Sequence, residues 1–418
     1  MDTITHGIIG ALAGKALFAG DDKPAGSLAI TGVTATGSPT DRAAIMACTI
    51  GSIFPDIDIF AGRLAHNPLA IMEWHRNITH SIVLLPAWAL FLAVISLPLA
   101  RWLRWPLPSF PVLVGIYAAG LASHVFLDLI TDFGTMVWSP LSYSRLAWDW
   151  LFILDLSLTS FALVPQIAAW CYRAPRKWKL RAWISWAGLT AGGFGAYELA
   201  STAGYPFPFW IVGAVSMIFA ATLFAPKISG VGFQWSRAGW CRAGLMMVCI
   251  YVGFAGFLHG KAVENVNRFI AANHIPTENS AAFPLPPTLT HWSGMIATPE
   301  GVLKTTFHLP GGVIDRAQLY ASTPADPHVE EAKKLRDVQV YLWFARFPIW
   351  HVEQRGDRTV VDLSDVRFFR DDRVDINPGP LQPKRVAGIP ANSSGFIFEI
   401  IFDAAGQVVS HEFKRARP

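Results

Sequence analysis

The chain has 418 residues, of which 52% are hydrophobic and only 15% charged, and its mean hydropathy is +0.35. Soluble globular domains carry about 25% charged residues, so this composition excludes a protein that is soluble along its whole length. The net charge of +4 is small and dispersed, with no Arg/Lys stripe interleaved with aromatics, which argues against nucleic acid as a partner. The four cysteines, Cys48, Cys171, Cys241 and Cys249, form no CxxC pair, so neither a disulfide framework nor a cysteine zinc site is expected.

The charge deficit is uneven. Long apolar runs fill the chain up to about Lys261, and polar sequence rich in Arg, Asp and Pro follows from about Glu264. The N-terminus, Met-Asp-Thr-Ile-Thr-His, lacks the basic region of a signal peptide and reads as mature sequence. A membrane helix needs about 20 mostly apolar residues. Two short segments come first, 5–19 and 43–55, with Gly- and Ala-rich flanks suited to close packing inside a bundle. Fuller segments follow at 81–100, 111–130, 150–170, 182–202, 207–225 and 240–259. Residues 262–272 carry a helical pattern, and 284–287 read as a Pro-rich linker. Beyond it, 338–345 and 358–363 read as strands, and 396–402 and 407–413 flank the hairpin signal Asp403-Ala-Ala-Gly. The expected fold is an all-α polytopic membrane bundle of about eight helices, two of them short, with a smaller C-terminal β-rich soluble domain. Its parts are residues 1–170 as metal-site helices, 171–261 as additional transmembrane helices and 262–418 as the extramembrane domain.

Basic residues orient the bundle. The 171–181 loop holds Arg173, Arg176, Lys177, Lys179 and Arg181, and the 226–242 loop holds Lys227, Arg237 and Arg242. Arg101 and Arg104, then Lys23 and Arg42, mark the same side, which is expected to be cytoplasmic. The C-terminal domain, after an eighth crossing, is then expected on the outer face.

On that topology the histidines and aspartates of the first 155 residues gather at the outer ends of the helices. They are His6, the pair Asp56 and Asp58 in Phe-Pro-Asp-Ile-Asp, His75 and His80 in Trp-His-Arg-Asn-Ile-Thr-His, His124 and Asp128 in Ser-His-Val-Phe-Leu-Asp, and Asp149. His124 and Asp128 stand four apart and share one helix face, so both can bind one ion. His75 and His80 would point about 140° apart on one helix, which places His75 in the preceding loop. Asp132, Asp155 and His66 are weaker members, better explained as caps, turns or loop residues. The histidines of the C-terminal region show no ligand spacing. Imidazole and carboxylate ligands together suit a divalent metal, zinc first and manganese or iron as alternatives, with one to three ions. Arg76, beside His75, has the planar fork that holds a phosphate oxygen, and Asp58 or Asp149 is the candidate base.

At these residues the chain resembles the bacterial family of membrane-bound, metal-dependent hydrolases related to the LexA-regulated inner-membrane hydrolase. The matching pieces are Thr5-His6-Gly, Phe54-Pro-Asp-Ile-Asp58, His75-Arg-x-x-Thr-His80-Ser, Ser123-His-x-x-x-Asp128 and Thr131-Asp-x-Gly-Thr135, with the Asp149 region also fitting. The resemblance covers about residues 1–160 and implies a bacterial inner-membrane location. That family is distantly similar to the zinc-dependent phospholipase C and P1 nuclease group, which implies His124 and Asp128 as ligands, completed by His6, Asp56 and His80. The chain departs from the soluble enzymes in having neither a ligating N-terminal Trp nor a second His-x-x-x-Glu pair. The expectation is a lipid-embedded hydrolase of a phosphoester, either a lipid, a lipid-linked molecule or a small soluble one. A proton- or ion-coupled transporter, and a membrane-anchored binding module with a structural metal, are the alternatives.

Overall fold

The computed structural model describes residues 1–20, 39–64, 69–202, 207–286, 289–369, 384–386 and 396–414. Lys23 and His66 lie outside these residues. The chain divides into two units, Met1–Asp58 with Arg76–Ala255, and Ile59–His75 with Gly256–Pro418.

The first unit is helical. Asp2 caps α1 (Thr3–Ala13) by accepting a hydrogen bond from the Thr5 N–H at 2.9 Å, and Gly14–Phe18 extend it as a π-helix. Next comes α2 (Pro39–Ile53), followed by a 3-10 turn at Phe54–Ile57. After α3 (Asp58–Leu64) and α4 (Ala70–Glu73), which apart from Asp58 belong to the second unit, a 3-10 turn at Ile78–His80 leads into α5 (Leu85–Leu103) and α6 (Phe110–Leu129). Then follow α7 (Leu156–Tyr172), α8 (Trp178–Thr202), α9 (Trp210–Ile228), α10 (Val231–Gln234) and α11 (Arg237–Ala272).

Each apolar segment of the sequence is helical. Among the described residues, five stretches are long and apolar enough to cross a membrane: Thr40–Gly62, Leu85–Leu103, Phe110–Leu129, Trp210–Ile228 and Arg237–Ala272. Thr3–Phe18 and Leu156–Tyr172 are apolar but shorter, and α8 carries Lys179, Arg181 and Glu198. Length and composition thus mark five of the expected segments as long enough to cross.

Small residues let α1, α2 and α6 touch backbone to backbone. A Cβ on Gly10 of α1 would lie 2.5 Å from the Ser52 Cβ. A Cβ on Gly120 of α6 would overlap the Cys48 carbonyl oxygen and sit 2.9 Å from the Ser52 nitrogen. The buried layer around this crossing includes Ala44, Ala47, Cys48, Ile116, Tyr117 and Leu121. It fixes the axial position of α6, the helix that carries His124 and Asp128.

The second unit contains two sheets. The first, ordered β1-β2-β3-β4-β7, is formed by Asn279–Pro284, His291–Thr298, Gly301–His308, Ile314–Ala321 and Lys384–Val386. The second, ordered β5-β6-β8-β9, is formed by Pro348–Arg355, Arg358–Asp365, Ile397–Phe402 and Val408–Phe413. Leu258, Ala262 and Val266 of α11 pack against Trp292, Ile296, Leu303 and Phe307 of the first sheet. Two expectations are corrected. The linker at 284–287 begins inside a strand, β1. Residues 338–345, read as β, belong to a helix, α13 (Arg336–Phe344), which follows the short α12 (Pro327–Ala332). The reason is period: Val338, Tyr341 and Phe344 recur every third residue and are the buried face.

The α2–α6 contact yields a paired prediction. Gly120→Ala should destabilise the protein by about 1–3 kcal/mol through overpacking. Gly253→Ala, on α11 where an added Cβ meets nothing within 4 Å, should be neutral or slightly stabilising. Thermal unfolding in detergent micelles separates the two, and equal effects would contradict the close approach.

Candidate metal centre

Four side chains from three local structures converge inside the first unit. The Phe54–Ile57 turn supplies Asp56, the Ile78–His80 turn supplies His80, and successive turns of α6 supply His124 and Asp128. All four are buried, and one ligand atom from each lies within 4.8 Å of the others. His80 Nε2 is 3.0 Å from His124 Nε2, 3.1 Å from Asp128 Oδ2 and 3.7 Å from Asp56 Oδ1. His124 Nε2 is 3.5 Å from both Asp56 Oδ1 and Asp128 Oδ2. A tetrahedron with bonds of about 2.0 Å to a central zinc has edges of about 3.3 Å. The observed separations straddle that value, so the cluster could hold one metal ion.

The chemistry of the donors fits the same conclusion. His124 Nδ1 lies 2.7 Å from the Ser52 carbonyl oxygen and donates to it, which turns the Nε2 lone pair toward the centre. His80 Nδ1 is 3.2 Å from Asp58 Oδ2, the carboxylate–histidine arrangement that orients a metal ligand from behind. Asp58 is itself held by the Thr79 hydroxyl at 2.8 Å and the Arg76 backbone N–H at 3.1 Å. Burial disfavours the His80 imidazolium, but Asp128, Asp56 and Asp58 outweigh it and push its pKa up to about 10. The centre thus attracts positive charge, whether a proton on His80 or a cation.

His6 joins the cluster from behind. Its Nε2 is 3.2 Å from Asp128 Oδ1, the oxygen turned away from the two other imidazoles, and its ring stacks on His124 with centroids 3.7 Å apart. It positions Asp128 and His124 and is not one of the four converging ligands. The Met1 α-amino group pairs with the same Asp128 oxygen.

Arg76 does not present an open fork. It is buried, its Nε is 2.9 Å from Asp128 Oδ2, and its Nη1 donates to the Asp128 carbonyl and to Thr131 Oγ1 at 2.9 Å. Its guanidinium also lies over the Phe133 ring, 5.0 Å from the centroid. At φ 63 its backbone is left-handed, a conformation costly for a residue with a Cβ and kept where the surroundings over-determine it. Here that backbone binds Asp58 through its N–H and accepts from Met136 N–H at 2.9 Å through its carbonyl.

Asp149 is buried and also left-handed, at φ 57. The N–H groups of its neighbours Trp148 and Trp150 bond the Leu129 and Ile130 carbonyls, both at 2.8 Å, which ties its loop to the turn after Asp128. Asp155 caps α7 and accepts from the Tyr251 hydroxyl at 2.9 Å. His75 belongs to the second unit, where its N–H closes the turn after α4 on the Ala70 carbonyl at 3.2 Å. Sequence reasoning missed Ser52, Thr79 and Phe133. Ser52 acts here through its backbone carbonyl, which any residue offers, so no residue-type signal existed. Thr79 lies between the two histidines that drew attention.

The geometry separates roles that substitution can measure. His124→Ala or Asp128→Ala should abolish metal retention, whereas Asp58→Asn should keep the ligands and weaken binding about 10- to 100-fold. Equilibrium dialysis with elemental analysis reads both, and unchanged metal content in His124→Ala would exclude this centre. Arg76→Met leaves Asp128 without its guanidinium partner and should cost about 3 kcal/mol or more, with a larger fall in unfolding temperature in metal-stripped protein than in loaded protein.

Residues 1–200 match the family model described as the YdjM inner membrane protein. No curated protein and no solved structure matches the chain. The likeness to an inner membrane protein therefore rests on the N-terminal 200 residues, which include every member of the buried cluster.

Proposed function

We propose that this chain is a membrane-bound, metal-dependent hydrolase, and that its substrate is a phosphoester of a lipid, a lipid-linked molecule or a small soluble compound. The observation that carries this reading is the convergence of His80, His124, Asp56 and Asp128 on one point. A bound zinc ion would polarise a phosphoryl oxygen and lower the pKa of a coordinated water to about 7. The chain's own residues would do the rest. Asp58 fixes the His80 ring, His6 and Arg76 fix Asp128, and Asp149 is the proposed base because its loop is anchored beside the end of α6. Asp56 and Asp58 are 5% and 8% exposed while His80, His124 and Asp128 are fully buried. Substrate and water are accordingly proposed to approach along the Asp56–Asp58 edge.

One observation favours a second reading. Four protein ligands fill a tetrahedron, as in structural zinc sites, whereas catalytic sites keep an open position. On that reading the ion staples the turns at Asp56 and His80 to α6. A screen of phosphodiester and phospholipid substrates decides between the two. Hydrolysis by the wild type, lost on chelation and reduced by Asp149→Asn at unchanged metal content, supports the enzyme. A protein that loses only thermal stability on chelation, with no turnover of any substrate, is the outcome the staple predicts.

Polar contacts also run along α1 and α7 away from the cluster. Thr5 and Thr159 hydroxyls are 2.8 Å apart, Gln166 donates to the Ile8 carbonyl at 3.0 Å, and Lys15 donates to Gln166 at 2.7 Å. Thr159 and Gln166 are seven residues apart on α7, about 10 Å along the axis, so these are separate interhelical ties rather than a continuous proton wire.

We further propose that the metal centre and the C-terminal region face the periplasm, on the strength of the basic loops at 171–181 and 226–242. Alkaline phosphatase fused after residue 418 should be active and green fluorescent protein at the same place dark. The reverse pattern overturns this orientation.

A further inference from the structure

We propose that the turn between β3 and β4, Pro310–Val313, is a lipid-contact surface that rests in the headgroup layer of the membrane α11 crosses. The chain of α11 sets the depth. Its apolar run ends at about His259, and Lys261, Glu264 and Arg268 follow. Lys261 and Glu264 pair at 3.0 Å with each side chain 52% exposed. Charged groups are expensive inside hydrocarbon, so the boundary of the apolar core lies near His259–Lys261.

The first sheet stands on α11 by one end. The Trp292 ring, at the start of β2, is 6.0 Å from the His259 ring. Two residues further along β2, a Cβ on Gly294 would lie 2.7 Å from Val266 Cγ2. Moving from Trp292 to Gly294 along the strand therefore matches moving from His259 to Val266 along the helix, away from the apolar run. The end nearer the membrane is the one where His291 opens β2 and its cross-strand partner His308 closes β3. The β3–β4 turn caps that end. Gly312, at φ 68, holds the turn against α11, since a Cβ there would meet Asn265 Oδ1 at 2.7 Å. Asn265 is four residues past Lys261, about 6 Å along the axis. A headgroup layer is about 5–8 Å deep on each side of the hydrocarbon, which puts the turn inside it.

The chemistry of the two ends agrees with that placement. Pro310-Gly-Gly-Val313 has no charged side chain, and the Gly312 N–H closes it on the His308 carbonyl at 2.7 Å. Among the described residues beyond α11, Val313 is the most exposed large apolar side chain, at 71%. The opposite end of the sheet carries Glu278 and Glu300, both exposed. An uncharged apolar tip gains by leaving water for the headgroup–acyl boundary, whereas carboxylates are repelled by anionic lipid. This surface depends neither on the hydrolase reading nor on which side of the membrane the C-terminal unit occupies.

The test uses the full-length protein in vesicles of phosphatidylcholine and phosphatidylglycerol, with Cys249→Ser to remove the exposed native thiol. Val313→Cys and Glu300→Cys are each labelled with an environment-sensitive fluorophore. The two positions lie at opposite ends of the same sheet, about 24 Å apart along β3. The expected result is a blue-shifted label at 313, quenched at least about 2-fold more by nitroxide-headgroup lipid than the label at 300. The label at 300 should in turn be the one quenched by aqueous iodide. Equal quenching of the two labels by either reagent, or the reverse order, would overturn the proposal. Both substitutions are at exposed positions, and unfolding temperatures equal to that of the Cys249→Ser parent show that each labelled protein keeps its fold.

Discussion

Asp56, Asp58 and Asp128 bring three carboxylates into a space where none is more than 8% exposed. Burying such charge costs several kcal/mol per ion unless it is matched at close range. Much of the first unit's local structure meets that demand. Arg76 and the Met1 amino group approach Asp128 from two sides, Thr79 and the Arg76 N–H bind Asp58, and Thr3 donates to Asp56. Even so, the cluster raises the proton affinity of His80. A divalent cation at the centre would supply the remaining positive charge while using the lone pairs that His80 and His124 turn inward.

Keeping the ligands in register requires the helices to be closer than ordinary side chains permit. Gly10, Gly51 and Gly120 allow the backbones of α1, α2 and α6 to meet, and the Ser52 carbonyl at that crossing sets the ring of His124. The left-handed backbones of Arg76 and Asp149 lie in two loops, one bonded to Asp58 through the Arg76 N–H and the other to the Leu129 and Ile130 carbonyls through Trp148 and Trp150. Helix packing, loop strain and ligand orientation are thus parts of one arrangement, and the motif Thr131-Asp-Phe-Gly-Thr135 is read in the same way. Thr131 holds Arg76, Phe133 lies under its guanidinium, and Thr135 bridges to Leu146 on the loop that leads to Asp149.

Much of this was legible in the sequence, for physical reasons. Four-residue spacing on a helix gives the same face, so His124 and Asp128 were visible as a pair. Apolar runs located the long helices of the bundle, and Asp403-Ala-Ala-Gly marked the β8–β9 hairpin. Roles within the cluster were not legible, because they depend on which oxygen of a carboxylate faces which ring. His6 and Arg76 thereby became supports of Asp128. The cross-strand partnership of His291 and His308 was invisible, since 16 intervening residues conceal the register. Residues 338–345 misled because Val, Tyr, Trp and Phe favour strands, while the packing of Val338, Tyr341 and Phe344 against a core imposed a helix.

X-ray absorption at the metal edge of the protein as purified addresses the buried centre most directly. The account predicts a single zinc-like environment of four nitrogen and oxygen ligands at about 2.0–2.1 Å, with scattering from two imidazoles and no sulfur. The same spectrum should vanish in His124→Ala. A sulfur shell, an environment unchanged by His124→Ala, or protein that binds no metal under any loading condition would contradict it.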